Sequence, residues 1–200
     1  KDLNGIFRLE NSQLSENTSI NNGGGIYIKN SILNIDTTEL IRNSSNRGGG
    51  IFAYSGGNVT AINTIFEENS AVDVGGGAEL RSSVCSFNLC TFDSNISDSD
   101  CDGEGAGGAI DNVNSTVTVT DNTLCANMAC DLLNDFNGDA IVIGGETFGC
   151  DESSGACCGG SACWIMEESE CLEGGGIFLG GGSVCDAESC IDSIELGACC

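Results

Sequence analysis

Apolar residues in the first three quarters of the chain come in short alternating bursts. Ser31-Ile32-Leu33-Asn34-Ile35 and Asn58-Val59-Thr60-Ala61-Ile62 are examples, and Ser115-Thr116-Val117-Thr118-Val119-Thr120 is the cleanest. Alternation with a period of two is the mark of a strand with one face buried. The β-branched residues suit a pleated surface. Most bursts run four to six residues, and Asn, Ser, Asp and Gly fill the gaps between them. Such a chain is expected to form many short strands joined by tight turns. No helical period occurs before about residue 160.

The strands are organised by a repeat. An apolar residue followed three places later by Asn occurs at Leu14/Asn17, Leu40/Asn43, Phe66/Asn69, Phe92/Asn95 and Leu124/Asn127. The steps between the Asn residues are 26, 26, 26 and 32. A Gly-rich motif keeps phase with it, at Gly23-Gly24-Gly25-Ile26, Gly48-Gly49-Gly50-Ile51, Gly75-Gly76-Gly77-Ala78 and Gly107-Gly108-Ala109-Ile110. A unit of two or three short strands cannot bury its apolar face alone. Stacking equivalent strands ~4.8 Å apart gives each coil hydrogen bonds and a shared core. The Gly runs allow positive φ and close backbone approach at one corner. The Leu and Phe are expected to stack inside, and the Asn residues to form an amide ladder at a turn. The fold class is therefore all-β: a right-handed parallel β-helix (solenoid) of about five to six coils over residues 1–150. Its expected length is ~25–30 Å. A β-sandwich also has short strands, but its strands recur every ~8–12 residues and carry no motif at a fixed longer period.

The paired motifs resemble the polymorphic outer-membrane protein repeats of bacterial β-helix surface proteins, which couple GGA[ILV] with FxxN. Gly107-Gly108-Ala109-Ile110, Phe66-Glu67-Glu68-Asn69 and Phe92-Asp93-Ser94-Asn95 match literally; other copies carry Gly-Gly-Gly-Ile, or Leu in place of Phe. The resemblance covers about residues 1–148. It implies a secreted, surface-displayed rod used in adhesion or as a surface layer. The family's membrane barrel is not in this sequence.

Composition changes after Cys150. Gly155-Ala156-Cys157-Cys158 recurs as Gly197-Ala198-Cys199-Cys200, with cysteines at 163, 171, 185 and 190 between. Residues 151–200 are read as a small disulfide-stapled module, since so short a segment needs covalent support. Ile165 to Glu173 is expected as a short helix ended by Gly174, and the Gly-rich stretch 174–182 as a hairpin. The pattern resembles Cys-rich GACC repeats that follow β-helices in large secreted bacterial proteins. Cys199 and Cys200 read as the start of a further module, or as a bond to another subunit. The chain also opens inside a repeat at Lys1, as expected of a section of a longer secreted precursor.

Fourteen cysteines with no histidine favour disulfides over zinc and place the chain in an oxidising, extracellular setting. Thirty acids against six bases give a net charge of −24. That argues against nucleic acid and anionic membrane as partners. No segment approaches the ~18 apolar residues of a membrane helix.

Candidate chemistry is sparse. The insertion that stretches one period to 32 holds Asp98-Ser99-Asp100-Cys101-Asp102-Gly103-Glu104. Carboxylates at alternating positions before a turn Gly resemble the start of an EF-hand loop, so Asp98, Asp100, Asp102 and Glu104 are candidate Ca²⁺ ligands. A solvated acidic loop is the simpler reading. Asp135-Phe136-Asn137-Gly138-Asp139 is a weaker candidate. No Ser–His–Asp or Cys–His arrangement is possible without His, and no inward Asp pair recurs at coil spacing, so no enzyme activity is expected. Five sequons occur, and those at Asn17, Asn43 and Asn95 fall on the ladder, where a glycan would clash. Tyr27, Tyr54 and Trp164 are well separated along the chain and offer little aromatic surface for sugar. The expected function is a structural rod that self-associates into a fibre, sheath or surface layer. A surface adhesin with a glycan partner is the alternative.

Overall fold

The computed structural model describes residues 5–101, 107–130, 132–133, 135–139, 141–145, 147–148, 154–159 and 162–181. The chain divides into two compact units, Lys1–Glu146 and Thr147–Cys200.

The first unit is a parallel β-solenoid whose coils each contribute a strand to four sheets. The first sheet stacks Ile6–Glu10, Ile32–Asp36, Asn58–Ile62, Val84–Asn88, Thr116–Thr120 and Ile141–Gly144. The second stacks Gln13–Ser15, Glu39–Ile41, Ile65–Glu67, Thr91–Asp93 and Thr123–Cys125. The third is built of two-residue strands, Ser44–Ser45, Ser70–Ala71, Ile96–Ser97 and Met128–Ala129. The fourth holds Ile26–Lys29, Ile51–Tyr54, Ala78–Arg81, Ile110–Val113 and Phe136–Gly138. All these pairings are parallel, with Leu33 opposite Val59, for example, and Phe66 opposite Phe92. One strand breaks the pattern: Leu132–Leu133 runs antiparallel on Met128–Ala129.

The Asn ladder is present. Asn17, Asn43, Asn69, Asn95 and Asn127 stand in one column, each donating backbone N–H and Nδ2 to the Oδ1 of the next at 2.8–3.1 Å. From Asn43 onward, Nδ2 also donates to a carbonyl of the coil before, namely those of Leu14, Leu40, Phe66 and Phe92. From Asn43 to Asn127 both amide hydrogens are thus satisfied inside the wall, where an unmade bond is costly. The ladder ends on Asp135, whose Oδ1 accepts from Asn127 Nδ2. Burial pushes this carboxyl above its ordinary pKa, and the Asn127 amide pulls it back.

A second ladder stands at the corner between the first and second sheets. Non-glycine residues there adopt positive φ, Thr37 at 46° and Leu89 at 52° among them. The side chain that follows bonds a carbonyl two residues back: Ser12 to Glu10, Thr38 to Asp36, Thr64 to Ile62 and Cys90 to Asn88. In the next coil Asn122 accepts from Cys90 N–H and donates to the Phe87 carbonyl. At the Gly corner, Gly48 has φ +63°, and a Cβ on Gly49 would lie 2.5 Å from the carbonyl oxygens of Gly76 and Ser70. Those two positions require glycine for different reasons, the first for torsion and the second for space.

The core is built of matching inward columns. Phe66 and Phe92 stack with centroids 4.5 Å apart, and Phe87 packs edge-on against both. Cys85 lies in register between Val59 and Val117, buried, its thiol pushed up to about 12 by desolvation. Cys85 and Cys90 are therefore core thiols, contrary to the expectation of disulfides throughout. Cys101–Cys130 is a disulfide that ties adjacent coils, and Cys125 is bonded as well.

In the second unit, Ser154–Gly159 is the centre of a three-stranded antiparallel sheet, flanked by Ala162–Glu167 and Ile177–Gly181. The helix covers only Glu168–Glu173. Residues 165–167, expected to be helical, are held in the sheet by pairing with Ser154–Ala156. The stretch from Ile177 joins this sheet instead of folding into its own hairpin. Cys157–Cys171 staples sheet to helix, and Cys158 is bonded too. A Cβ on Gly176 would lie 2.5 Å from Cys157 Sγ, so the staple needs glycine there.

Candidate functional site

From Leu40 to Leu124 the inward side chains are committed to the core and ladders, which leaves the outward faces of those coils for polar ligand chemistry. Two of these differ from the acidic remainder of the surface.

The first is the outer face of the first sheet. Its strands Asn58–Ile62, Val84–Asn88, Thr116–Thr120 and Ile141–Gly144 carry no charged residue, in a chain with 36 (6 + 30). Outward positions there are Thr, Ser, Asn, Val and Ile, giving a flat β-branched surface.

The second is the outer face of the fourth sheet. Strand register places Tyr27, Phe52, Glu79, Asp111 and Asn137 in one outward column. Lys29, Tyr54, Arg81 and Val113 form the column beside it. Tyr27 and Phe52 stack with centroids 5.6 Å apart, and Phe52 and Tyr54 lie 6.1 Å apart. Lys29 Nζ sits 5.3 Å over the Tyr54 ring. Glu79 is 0 % exposed although its strand position points outward. Arg47 Nη2 lies 2.8 Å from its Oε1 and Arg47 Nε 3.0 Å from its Oε2, while Arg81 Nε also holds Oε1. Burial pushes the Glu79 carboxyl upward, and the two guanidinium groups oppose that shift. Asp111 is buried next to it, raised by desolvation, with Oδ1 accepting from Asn137 Nδ2 at 2.7 Å. Tyr27 and Tyr54, distant in sequence, thus share one aromatic strip. The earlier reading of scattered aromatics is corrected by the register. The signal was available: each follows its Gly-Gly-Gly motif on the same strand of the coil, Tyr27 two residues after Gly25 and Tyr54 four after Gly50, in adjacent outward columns.

Among the candidate calcium ligands, Asp98 is buried, with φ 52°, and its carbonyl accepts from Cys101 N–H. Asp100 is exposed. Asp102 and Glu104 lie outside the described residues. Among the described residues no group of three acidic or Cys side chains is placed to hold a metal. In the weaker stretch, Asp135 ends the Asn ladder and Asp139 Oδ2 accepts from Asn114 N–H.

Residues 11–29 match the Chlamydia polymorphic membrane protein repeat. That segment contains Leu14, Asn17 and the Gly23–Ile26 motif, so one Asn corner and one Gly corner fall inside it. The repeat points to a cell-surface or outer-membrane protein, and no described helix is long and apolar enough to cross a membrane. The chain is also similar to metabotropic glutamate receptor-like protein R of Dictyostelium discoideum, 34 % identical over 148 residues, covering 72 % of this chain. It spans only 8 % of that relative's length. No solved structure matches the chain.

Proposed function

We propose that the chain is a section of a structural rod in an extracellular surface protein, and that copies pack side by side through the outer face of the first sheet. The observation that carries this is the absence of charge on four successive strands of that face, against −24 for the whole chain. Two such rods repel each other across their acidic surfaces, and that repulsion is weakest where the surface is neutral. β-Branched side chains on a flat sheet also lose little rotamer entropy on packing.

The magnitude sets the mode of assembly. Four strands ~4.8 Å apart and five residues long cover about 300 Å², well below the ~800 Å² per partner of a stable pair. A single contact of this section is weak. Stable packing comes from many coils along a longer rod, or from several neighbours at once. No catalysis belongs to this reading: Glu79 and Asp111, the neighbouring carboxylates, are buried and partnered by Arg47, Arg81 and Asn137.

Sedimentation velocity across salt concentrations tests the idea. Raising salt shortens the Debye length from about 10 to about 3 Å, so association is expected to strengthen. Thr60→Asp with Thr118→Asp is expected to abolish it. A chain that stays monomeric at every salt and protein concentration, or charged variants that associate as well as the parent, would rule out this face.

A further inference from the structure

We propose that the outer face of the fourth sheet binds an anionic saccharide, one carrying carboxylate or sulfate groups. The inference is independent of lateral packing, because it uses a different face.

Aromatic rings come first. Tyr27 and Tyr54 are 50 % and 38 % exposed, while Phe52 between them is 4 % exposed and supports both. The result is a fixed platform spanning adjacent strands, with ring faces and phenolic hydroxyls presented together. Aromatic rings stack on the apolar C–H faces of sugars, and tyrosine adds a polar handle.

Charge decides which sugars. Lys29, Arg47 and Arg81 are three of the six basic residues in the chain, and all converge here. Two guanidinium groups face the carboxylates of Glu79 and Asp111, so the positive charge in excess on this face is that of Lys29 beside Tyr54. The Arg47 and Arg81 side chains remain 28 % and 32 % exposed while anchored on Glu79, Arg81 through its Nε alone. Guanidinium matches carboxylate and sulfate oxygens in a planar fork. An electropositive, aromatic strip on a molecule of charge −24 is complementary to a ligand that is both anionic and ring-shaped. Long polyanions such as nucleic acid are disfavoured by the acidic remainder, whereas a short oligosaccharide engages the strip alone. The three strands involved span about 10 Å at β-spacing.

The test titrates the chain with three hexasaccharides by calorimetry: one derived from heparin, one from polygalacturonate, and neutral maltohexaose. At least one anionic probe is expected to bind at least tenfold more tightly than the neutral one, and more weakly as salt rises. Tyr54→Ala and Lys29→Ala alter exposed side chains and leave the core intact, which circular dichroism verifies. Each is expected to weaken binding by about tenfold. Equal affinity for neutral and anionic probes, no binding of either anionic probe at millimolar concentration, or binding unaffected by both substitutions would each overturn the proposal.

Discussion

Asn69→Ala is the sharpest probe of the solenoid's register. The Asn69 side chain accepts from Asn43 N–H and Nδ2, both at 3.0 Å. It donates to the Leu40 carbonyl at 2.8 Å and to Asn95 Oδ1 at 3.0 Å. Alanine removes all four bonds. Asn95 Oδ1 keeps a partner, because Asn69 N–H still donates to it. Two buried groups are stranded, Asn43 N–H and one Asn43 amide hydrogen, while the Leu40 carbonyl keeps its place in the parallel ladder opposite the next coil. At about 1–3 kcal/mol for each unsatisfied group, partly relieved by relaxation, the loss is about 2–5 kcal/mol. That is a large share of a typical domain's stability. Asn17→Ala is the control. Asn17 is exposed and its Nδ2 makes one ladder bond, so its loss is below about 1 kcal/mol. Urea unfolding followed by circular dichroism compares the two, with hydrogen exchange at the Asn43 amide as the local readout. Equal losses for both variants would refute the claim that the column holds the coils in register.

Other expectations follow from single positions. Ser97 Oγ is buried without a hydrogen-bond partner, in a column where Ala71 and Ala129 are its neighbours in register or one coil on; Ser97→Ala is expected to stabilise the chain by about 1 kcal/mol in the same assay. Asp111 and Asp135 are raised by burial above their unfolded values, so the fold binds more protons than the unfolded chain between the unfolded pKa near 4 and the raised folded values. Stability is therefore fully present below that window and falls as pH rises through it; melting temperatures at successive pH values should show this, and Asp111→Asn should flatten the slope. Cys85 and Cys90 should resist alkylation in the native state and take the label in denaturant without reductant, as read by mass spectrometry. Native labelling of Cys85 would contradict its burial.

Much of the solenoid was legible because its constraints repeat residue types. The Asn column needs an amide that both donates and accepts, so Asn recurs and the step of 26 is visible. The alternation of Thr116 to Thr120 assigned Val117 and Val119 inward, where they lie. The corner ladder was not legible, because Ser12, Thr38, Thr64, Cys90 and Asn122 share only a polar hydrogen and not an identity. Cys90 accordingly looks like any other cysteine in the sequence, although its place in the corner ladder makes it a core thiol. The aromatic strip was hidden by loop length: Tyr27 to Phe52 is 25 residues, while Tyr54 to Arg81 is 27. Short extra loops absorb these differences, and only the Gly motif fixes the true phase. In the second unit, pairing with Ser154–Gly159 overrode the helical tendency before Glu168, a tertiary effect that local pattern does not report.

The two outer faces bear on one question, namely what the fold itself demands of an outward position. The first sheet answers it: Thr60, Ser86 and Thr118 stand in register on its outer face without a charge among them. A coil of this solenoid thus closes with small uncharged groups outside. The fourth sheet departs from that minimum by burying Glu79 and Asp111, with Arg47 and Arg81 bound to Glu79 and Asn137 to Asp111. Desolvating such groups costs several kcal/mol per charge, and their attraction seldom returns more than it offsets. The network is therefore a poor device for stability, and nothing in the ladders or the Phe stack depends on it. What it does achieve is to anchor two guanidinium groups on the same face as Tyr54 and Lys29. Rigid placement of exposed donors lowers the ordering cost of binding and does nothing for an unliganded rod. The arrangement makes physical sense as a preorganised site for an anion, which is why the fourth sheet, and not the acidic loop at Asp98, carries the binding proposal.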